Sequence, residues 1–244
     1  MDRATQLALN AINRQFYASV ADEFSASRRH DWPGFRRVIA RVDQRISMQA
    51  PLRVLDVGAG DGRFAACLQN AWSGPIDYVG IDACHELLAR ARARELGSDF
   101  RFHEADLIES PLTAALPEGE FDLIALFGVL HHVPGREFRA ALLRALADRV
   151  STSGVLAITF WRLDEDPRFA SRVVASNREW SLEPGDTLLR WGAADAPPRF
   201  CHFPDAAEIE ALIAATNLHA LDRFRADGRS DQLNEYALLT RCPA

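Results

Sequence analysis

Three glycines alternate in LDVGAGDGRF, residues 55–64: Gly58, Gly60 and Gly62, with Asp56 two residues ahead of the first. Glycine there tolerates positive φ and lets backbone come close to a bound molecule. A dinucleotide fingerprint, GxGxxG, would carry its third glycine at position 63, where Arg63 stands. A carboxylate at the loop mouth suits a cationic ligand, whereas a pyrophosphate would be repelled by Asp56. Further on, Asp82 ends the run YVGIDA, where a carboxylate accepts both ribose hydroxyls of an adenosine. Asp106, in HEADL, is placed to accept the exocyclic amine of an adenine, with Leu107 packing on the ring. His131 and His132 follow the next apolar run and are candidates to orient an acceptor or take a proton near neutral pH. Arg28 and Trp32 sit where N-terminal helices can fold over such a site, Arg28 gripping a cofactor carboxylate or an anionic acceptor. Arg199 and His202 are further candidates for contact with substrate.

These residues need a frame that brings them together. Residues 3–24 carry apolar side chains at helical spacing, and a second helix starts at Pro33, with Phe35, Val38, Ile39, Val42 and Ile46 on one stripe. Arg37, Arg41 and Arg45 align on its other side. From residue 53 short β-branched runs alternate with helical stretches. Strands are expected at 53–58, 78–83, 100–105, 121–128, 155–161, 218–226 and 235–241, and helices at 62–71, 85–96 and 136–150. That alternation, with near-continuous apolar strands, means a parallel sheet covered on both faces. Only eight residues, DGRSDQLN, separate the last two strands, too few for a crossover helix, so they form an antiparallel hairpin at one edge. The expected division is an N-terminal helical lid, 1–50, and a main domain, 51–244, interrupted by a cap at about 162–204. Trp180 and Trp191 are expected to form the cap's own small core. Asp205 caps the helix that returns to the sheet.

Composition removes several classes. No apolar run approaches a membrane span, and the polar N-terminus lacks the core of a signal peptide. Cys67, Cys84, Cys201 and Cys242 have no CxxC spacing, so neither a metal site nor a disulfide framework is expected, and a reducing cytoplasm is. All 28 basic residues are arginine, against 34 acids, for a net charge of −6. The excess is uneven: residues 1–50 carry a net +3 and residues 51–244 a net −9. An anionic partner would therefore dock at the N-terminal helices, with Arg28, Arg29, Arg37, Arg41 and Arg45 as candidate phosphate contacts.

VLDVGAGDG, GIDA, HEADL, and FDLIALFGVLHHV followed by SGVLAITFW resemble, in order and spacing over residues 53–161, the successive motifs of class I S-adenosylmethionine-dependent methyltransferases. The resemblance implies a Rossmann-like α/β fold with a seven-stranded, mostly parallel sheet of order 3-2-1-4-5-7-6. It also implies S-adenosylmethionine across the carboxyl ends of strands one, two and four, the switch point of an open α/β sheet. Asp56 and Gly58 to Gly62 then border the methionine half, Asp82 takes the ribose, Asp106 and Leu107 the adenine, and Phe127 with Gly128 the floor.

The stretch FYASVADEFSASRRHDWPGF (16–35), with GDTLLRW and RFCHFPDAAEIEALI later, resembles the tRNA wobble-uridine carboxymethyl methyltransferases. That branch implies a tRNA substrate and a small zinc-binding activator subunit. The sequence departs from it at Ala59 and Asp61, where Cys and Asn are common. Methyl transfer from a sulfonium is an in-line displacement in which positioning dominates. After strand four, Phe127-Gly128-Val129-Leu130 carries neither an Asn/Asp-Pro-Pro-aromatic run nor a Pro-Cys nucleophile. Oxygen acceptors, simple amines or a carboxylate are therefore favoured. The alternative to the tRNA reading is a small-molecule O- or N-methyltransferase whose cap encloses the acceptor.

Overall fold

A computed structural model of the protein describes residues 1–27, 31–162, 171–175, 180–191 and 197–243. Asp2 accepts the Thr5 N–H and so caps the first helix, α1 (Arg3–Ala26). In α2 (Pro33–Asp43) Pro33 occupies the first turn, where its missing N–H breaks no helical bond. Then come β1 (Leu52–Val57), α3 (Arg63–Ala71), β2 (Ile76–Asp82), α4 (His85–Arg92), β3 (Phe100–Glu104), the single turn α5 (Leu112–Ala115) and β4 (Phe121–Leu126). A 3-10 turn (Leu130–His132), α6 (Arg136–Ala147), β5 (Val150–Trp161), β6 (Val173–Val174), β7 (Asp186–Leu189), β8 (Arg199–His202), α7 (Ala206–Ala214), β9 (His219–Ala226) and β10 (Asn234–Thr240) complete the chain.

The main sheet has seven strands in the order β3-β2-β1-β4-β5-β10-β9, the expected order with β10 and β9 as seventh and sixth strands. β1 to β5 are parallel, and β10 runs antiparallel to both β5 and β9. Its central strands are apolar on both faces because each face is covered. Phe35, Val38 and Val42 of α2 join Phe64 and Leu68 of α3 on one side. Leu142, Leu143 and Leu146 of α6 join Ile209 and Leu212 of α7 on the other. Each such fully buried side chain contributes roughly 1.5–3 kcal/mol.

Two features were not anticipated. β6, β7 and β8 form a separate three-stranded antiparallel sheet inside the stretch expected to be a cap, part of which lies outside the described residues. Trp191 does not build a core private to that stretch: it packs on Phe16 and Phe24 of α1, while Trp180 packs against a cluster of Leu9, Leu188 and Phe200.

The arginine ridge of α2 is also spent differently from expectation. Arg37 and Arg41 both pair with Asp222 of β9, at 3.2 and 2.9 Å, and Arg37 lies over the Phe224 ring. Arg45 donates to Thr240 Oγ1 and the Cys242 carbonyl, both at 3.1 Å. These guanidiniums staple α2 to the edge hairpin rather than standing free for phosphates; Arg28 and Arg29 lie outside the described residues. A second staple is buried: the Asp227 carboxylate accepts the Gly34 N–H, Asn234 Nδ2 and the Tyr236 hydroxyl. It anchors the start of α2, and with it Trp32.

Candidate functional site

The carboxyl ends of β1, β2 and β4 open into one cleft, at the switch point where open α/β sheets bind ligands. At its centre the glycine loop leaves β1. Gly58 and Gly60 both have positive φ, +78° and +55°. A Cβ on Gly58 would stand 2.0 Å from a methyl of Val129, whereas one on Gly60 would meet only Leu87, at 4.0 Å. Gly58 is thus required by packing, and Gly60 keeps a stretch of backbone bare toward the cleft.

Asp82, at the end of β2, holds that loop. One carboxylate oxygen accepts the Gly60 N–H and the other the Cys84 N–H, each at 2.8 Å. Burial raises its pKa against the pull of those N–H groups. Asp56 is almost sealed, 2% exposed, and accepts the Tyr78 hydroxyl. Burial pushes its carboxyl up to about 7, with the Tyr78 bond opposing and the Asp82 charge adding to the rise. It lines the cleft from beneath the loop rather than standing at the mouth.

Asp106 is shared. One oxygen accepts the Ile108 and Glu109 N–H groups at 2.8 and 2.9 Å, and the other accepts Asn10 Nδ2 of α1 at 2.9 Å. Leu107, Phe127 and Trp32 also line the cleft; Phe127 is wedged edge-on against Phe64 at 4.9 Å. His132 lines it too, but His131 is not among the lining residues: it is buried and stacks on Trp161, ring centroids 3.7 Å apart.

The remaining expected residues separate. Arg28 lies outside the described residues. Arg199 is buried behind the cleft, over the rings of Phe16 and Trp161. His202 makes no contact with the cleft, a correction to the substrate role expected of it. Its ring nitrogens meet Asp186 at 2.7 Å and Glu208 at 3.1 Å, and Glu208 in turn pairs with buried Arg139 at 2.7 Å. Burial pulls the His202 pKa down, but the two carboxylates outweigh it and raise it.

Sequence reasoning missed the wall supplied by α1. Asn10, Asn13 and Tyr17 line the cleft at i, i+3 and i+7, one polar stripe on one helix face. Each is tied down: Asn10 to Asp106, Asn13 to the Phe200 N–H and the His132 carbonyl, Tyr17 to His132. The interruption of an otherwise apolar face by that stripe was the readable signal. It also missed Arg63, treated only as a missing glycine. Its side chain is 12% exposed, 3.6 Å from Asp61, its guanidinium lies 5.1 Å from the Trp32 ring, and its NH1 is buried without a hydrogen-bond partner.

Comparison with known proteins gives the same frame a name. A bovine protein named Probable tRNA methyltransferase 9B is 25% identical over 195 residues, 80% of this chain and 36% of that one. Trans-aconitate 2-methyltransferase of Methylobacterium radiotolerans is 28% identical over 71% of this chain and 65% of its own. Among solved structures, magnesium protoporphyrin IX methyltransferase from Synechocystis superposes with a TM-score of 0.65 at 18% identity, covering 96% of this chain and 99% of that one. A methyltransferase solved with the Trm112 activator of Haloferax volcanii superposes at 0.60 and 14% identity, covering 95% and 97%. A family described as Methyltransferase domain matches residues 28–222, and the chain belongs to that family.

Proposed function

We propose that this chain is an S-adenosylmethionine-dependent methyltransferase whose acceptor enters at the Trp32, Tyr17 and Gly128 end of the cleft. The observation that carries the reading is the Asp82–Gly60 pair: a half-buried carboxylate beside bare, positive-φ backbone. The cofactor fits the residues present. Asp82 takes the ribose hydroxyls, Asp106 and Leu107 the adenine, and Phe127 the floor. The orphaned NH1 of Arg63 suits the carboxylate of the amino-acid tail, and Asp56 the positive charge near it. Bound there, the cofactor supplies an electrophilic methyl group on a sulfonium.

The chain's own share is positioning and exclusion of water. Tyr17, Phe24 and Trp32 wall the acceptor end, and the α1 stripe holds that wall to the rim. His132 acts here through Tyr17, as a positioning residue for α1, and His131 supports Trp161 by stacking.

The finer reading is methylation of a carboxymethyl group on a wobble uridine of tRNA. It is supported by the likeness of residues 16–35 to that branch, by the bovine relative named as a tRNA methyltransferase, and by the fold shared with a methyltransferase that partners an activator. An activator subunit belongs to the same reading. Arg37 and Arg41 of α2 are each paired with Asp222 within the chain, so a phosphate there would compete with that carboxylate. A small-molecule acceptor is the second reading, favoured by the roof that α1 makes over the cleft and by the trans-aconitate enzyme among the relatives. Nucleoside mass spectrometry of total tRNA separates them: loss of the gene should leave wobble carboxymethyl-uridine as the free acid. An unchanged nucleoside profile would overturn the tRNA reading.

A further inference from the structure

A second concavity shares one wall with the cleft. It is lined by Ser25 near the end of α1, by Asp31, by Asp61 and Arg63 after β1, and by Arg90 and Arg94 at α4 and just beyond it. Asp61 and Arg63 also line the cleft, so the two spaces meet at that pair, whereas Ser25, Arg90 and Arg94 line only the second. Three polar atoms of this wall are buried with no hydrogen-bond partner among the described residues: Ser25 Oγ and one terminal nitrogen each of Arg63 and Arg90. A guanidinium nitrogen only donates, and a donor buried without an acceptor is costly.

The acids nearby are already engaged. Asp61 takes Arg94 at 3.0 Å and Arg63 at 3.6 Å, and its backbone carbonyl accepts the Arg94 Nε–H. Asp31 pairs with Arg36 at 3.8 Å and meets the Cys67 thiol, and the exposed Asp22 pairs with Arg90. Four guanidiniums thus meet three carboxylates, a surplus of one positive charge. The cofactor's amino-acid tail answers one orphaned donor, on Arg63, but as a zwitterion it leaves that surplus in place. Burial pulls the Arg63 pKa down, with Asp61 opposing and Arg94 adding to the fall, so a further anion beside them would ease the crowding of cations. Asp61 is also one of the two positions where the glycine loop departs from the tRNA branch, and its charge is what gathers Arg63 and Arg94 at this wall.

We propose that Arg90 and Ser25, backed by the charge of Arg94, form a phosphate subsite beside the cofactor cleft, and that the methyl acceptor carries a phosphate group docked there. The proposal rests on the methyltransferase reading above. One phosphate oxygen accepts from the Arg90 guanidinium and another from the Ser25 hydroxyl. A tetrahedral group suits donors that arrive from two elements, α1 and α4, better than the two oxygens of a planar carboxylate do. The phosphate takes no part in the bond changes; it fixes where the acceptor lies relative to the methyl group. Two sources share this chemistry, the backbone of a nucleic-acid acceptor and a phosphate ester on a small one. In either case the anion contact lies between α1 and α4, not on the ridge of α2, where Arg37 and Arg41 are held by Asp222.

The test uses the full chain with S-adenosylhomocysteine bound, titrated with inorganic phosphate and followed by phosphorus NMR. Wild type should bind phosphate saturably. Arg90→Gln should weaken that binding about tenfold and Ser25→Ala about threefold, with cofactor affinity within twofold of wild type in both. The source is read from tRNA of a deletion strain, bound to the same proteins over a range of salt. Weaker tRNA binding in Arg90→Gln, with a salt slope smaller by about one, marks a backbone phosphate. Unchanged tRNA binding beside lost phosphate binding marks a phosphorylated small acceptor. No saturable phosphate binding to wild type, or equal binding in both variants, would overturn the subsite. So would a matching loss of cofactor affinity, because the two residues would then belong to the cofactor's own site. A wild-type chain that does not bind cofactor would instead overturn the parent reading. Should Arg90→Gln fail to fold, Ser25→Ala alone decides.

Discussion

The Tyr17 hydroxyl and His132 Nε2 meet at 2.7 Å, while His132 Nδ1 lies 2.7 Å from the carbonyl of Phe200. A carbonyl only accepts, so Nδ1 carries a proton and donates to it, while Nε2 pairs with the tyrosine hydroxyl. One imidazole thus ties α1 to the loop after β4 and to β8. It links the roof of the cleft, the acceptor end and the strand bearing Arg199.

Tyr17→Phe removes one net hydrogen bond, about 0.5–1.5 kcal/mol, and frees the helix at the point where it covers the cleft. The expected outcome is a thermal midpoint lowered by only a few degrees, with a larger loss in kcat than in cofactor affinity. Steady-state kinetics beside a melting curve checks this. A kcat equal to wild type would mean that α1 is not positioned through His132.

Asp56 sets stability against binding. Its raised pKa means that the folded state prefers the proton, so the stability it contributes is complete below an ordinary carboxylate pKa and is lost as pH rises through about 7. Asp56→Asn keeps an acceptor for Tyr78 and removes the buried charge. It should melt no lower than wild type at pH 8, yet bind the sulfonium cofactor several-fold more weakly, because the compensating anion is gone. Lower stability at pH 8 with unchanged affinity would contradict this account of Asp56.

The Asp186–His202–Glu208–Arg139 network predicts a pH window. Glu208 is pushed up by burial but brought down to about 2 by His202 and Arg139, so its contribution is present above 4.5, its ordinary value, and is lost toward pH 2. His202 is raised above its ordinary 6.5; its contribution is complete below that value and is lost as pH climbs through the raised one. Thermal stability should therefore plateau between these limits and fall on the alkaline side. His202→Gln should flatten the alkaline fall. If the slope persists in that variant, another group is responsible.

Most of the frame was legible because it rests on local rules. The five parallel strands and the edge hairpin follow from apolar runs and connection length, and Asp56, Asp82 and Asp106 from their places at strand ends. Boundaries moved by a few residues: β5 begins at Val150 rather than at 155, and α4 ends at Arg92 rather than at 96. What did not show was long-range. Nothing near Arg37 or Arg41 announces Asp222, nearly the whole chain away, so a stapled helix face reads as a free cationic ridge. The His202 network likewise joins β7, β8, α7 and α6, and the histidine alone looks like a binding residue. The Asn10, Asn13 and Tyr17 stripe was visible as spacing but lacked a partner until α1 was laid on the cleft.

The central claim is that the cleft at the ends of β1, β2 and β4 holds S-adenosylmethionine through Asp82. Calorimetric titration of the cofactor into wild type and Asp82→Ala tests it directly. The account predicts saturable one-to-one binding to wild type, weakened at least about tenfold by loss of the charged hydrogen bonds, with the variant still folded by circular dichroism. Equal affinity in a folded Asp82→Ala, or no binding to wild type, would contradict it.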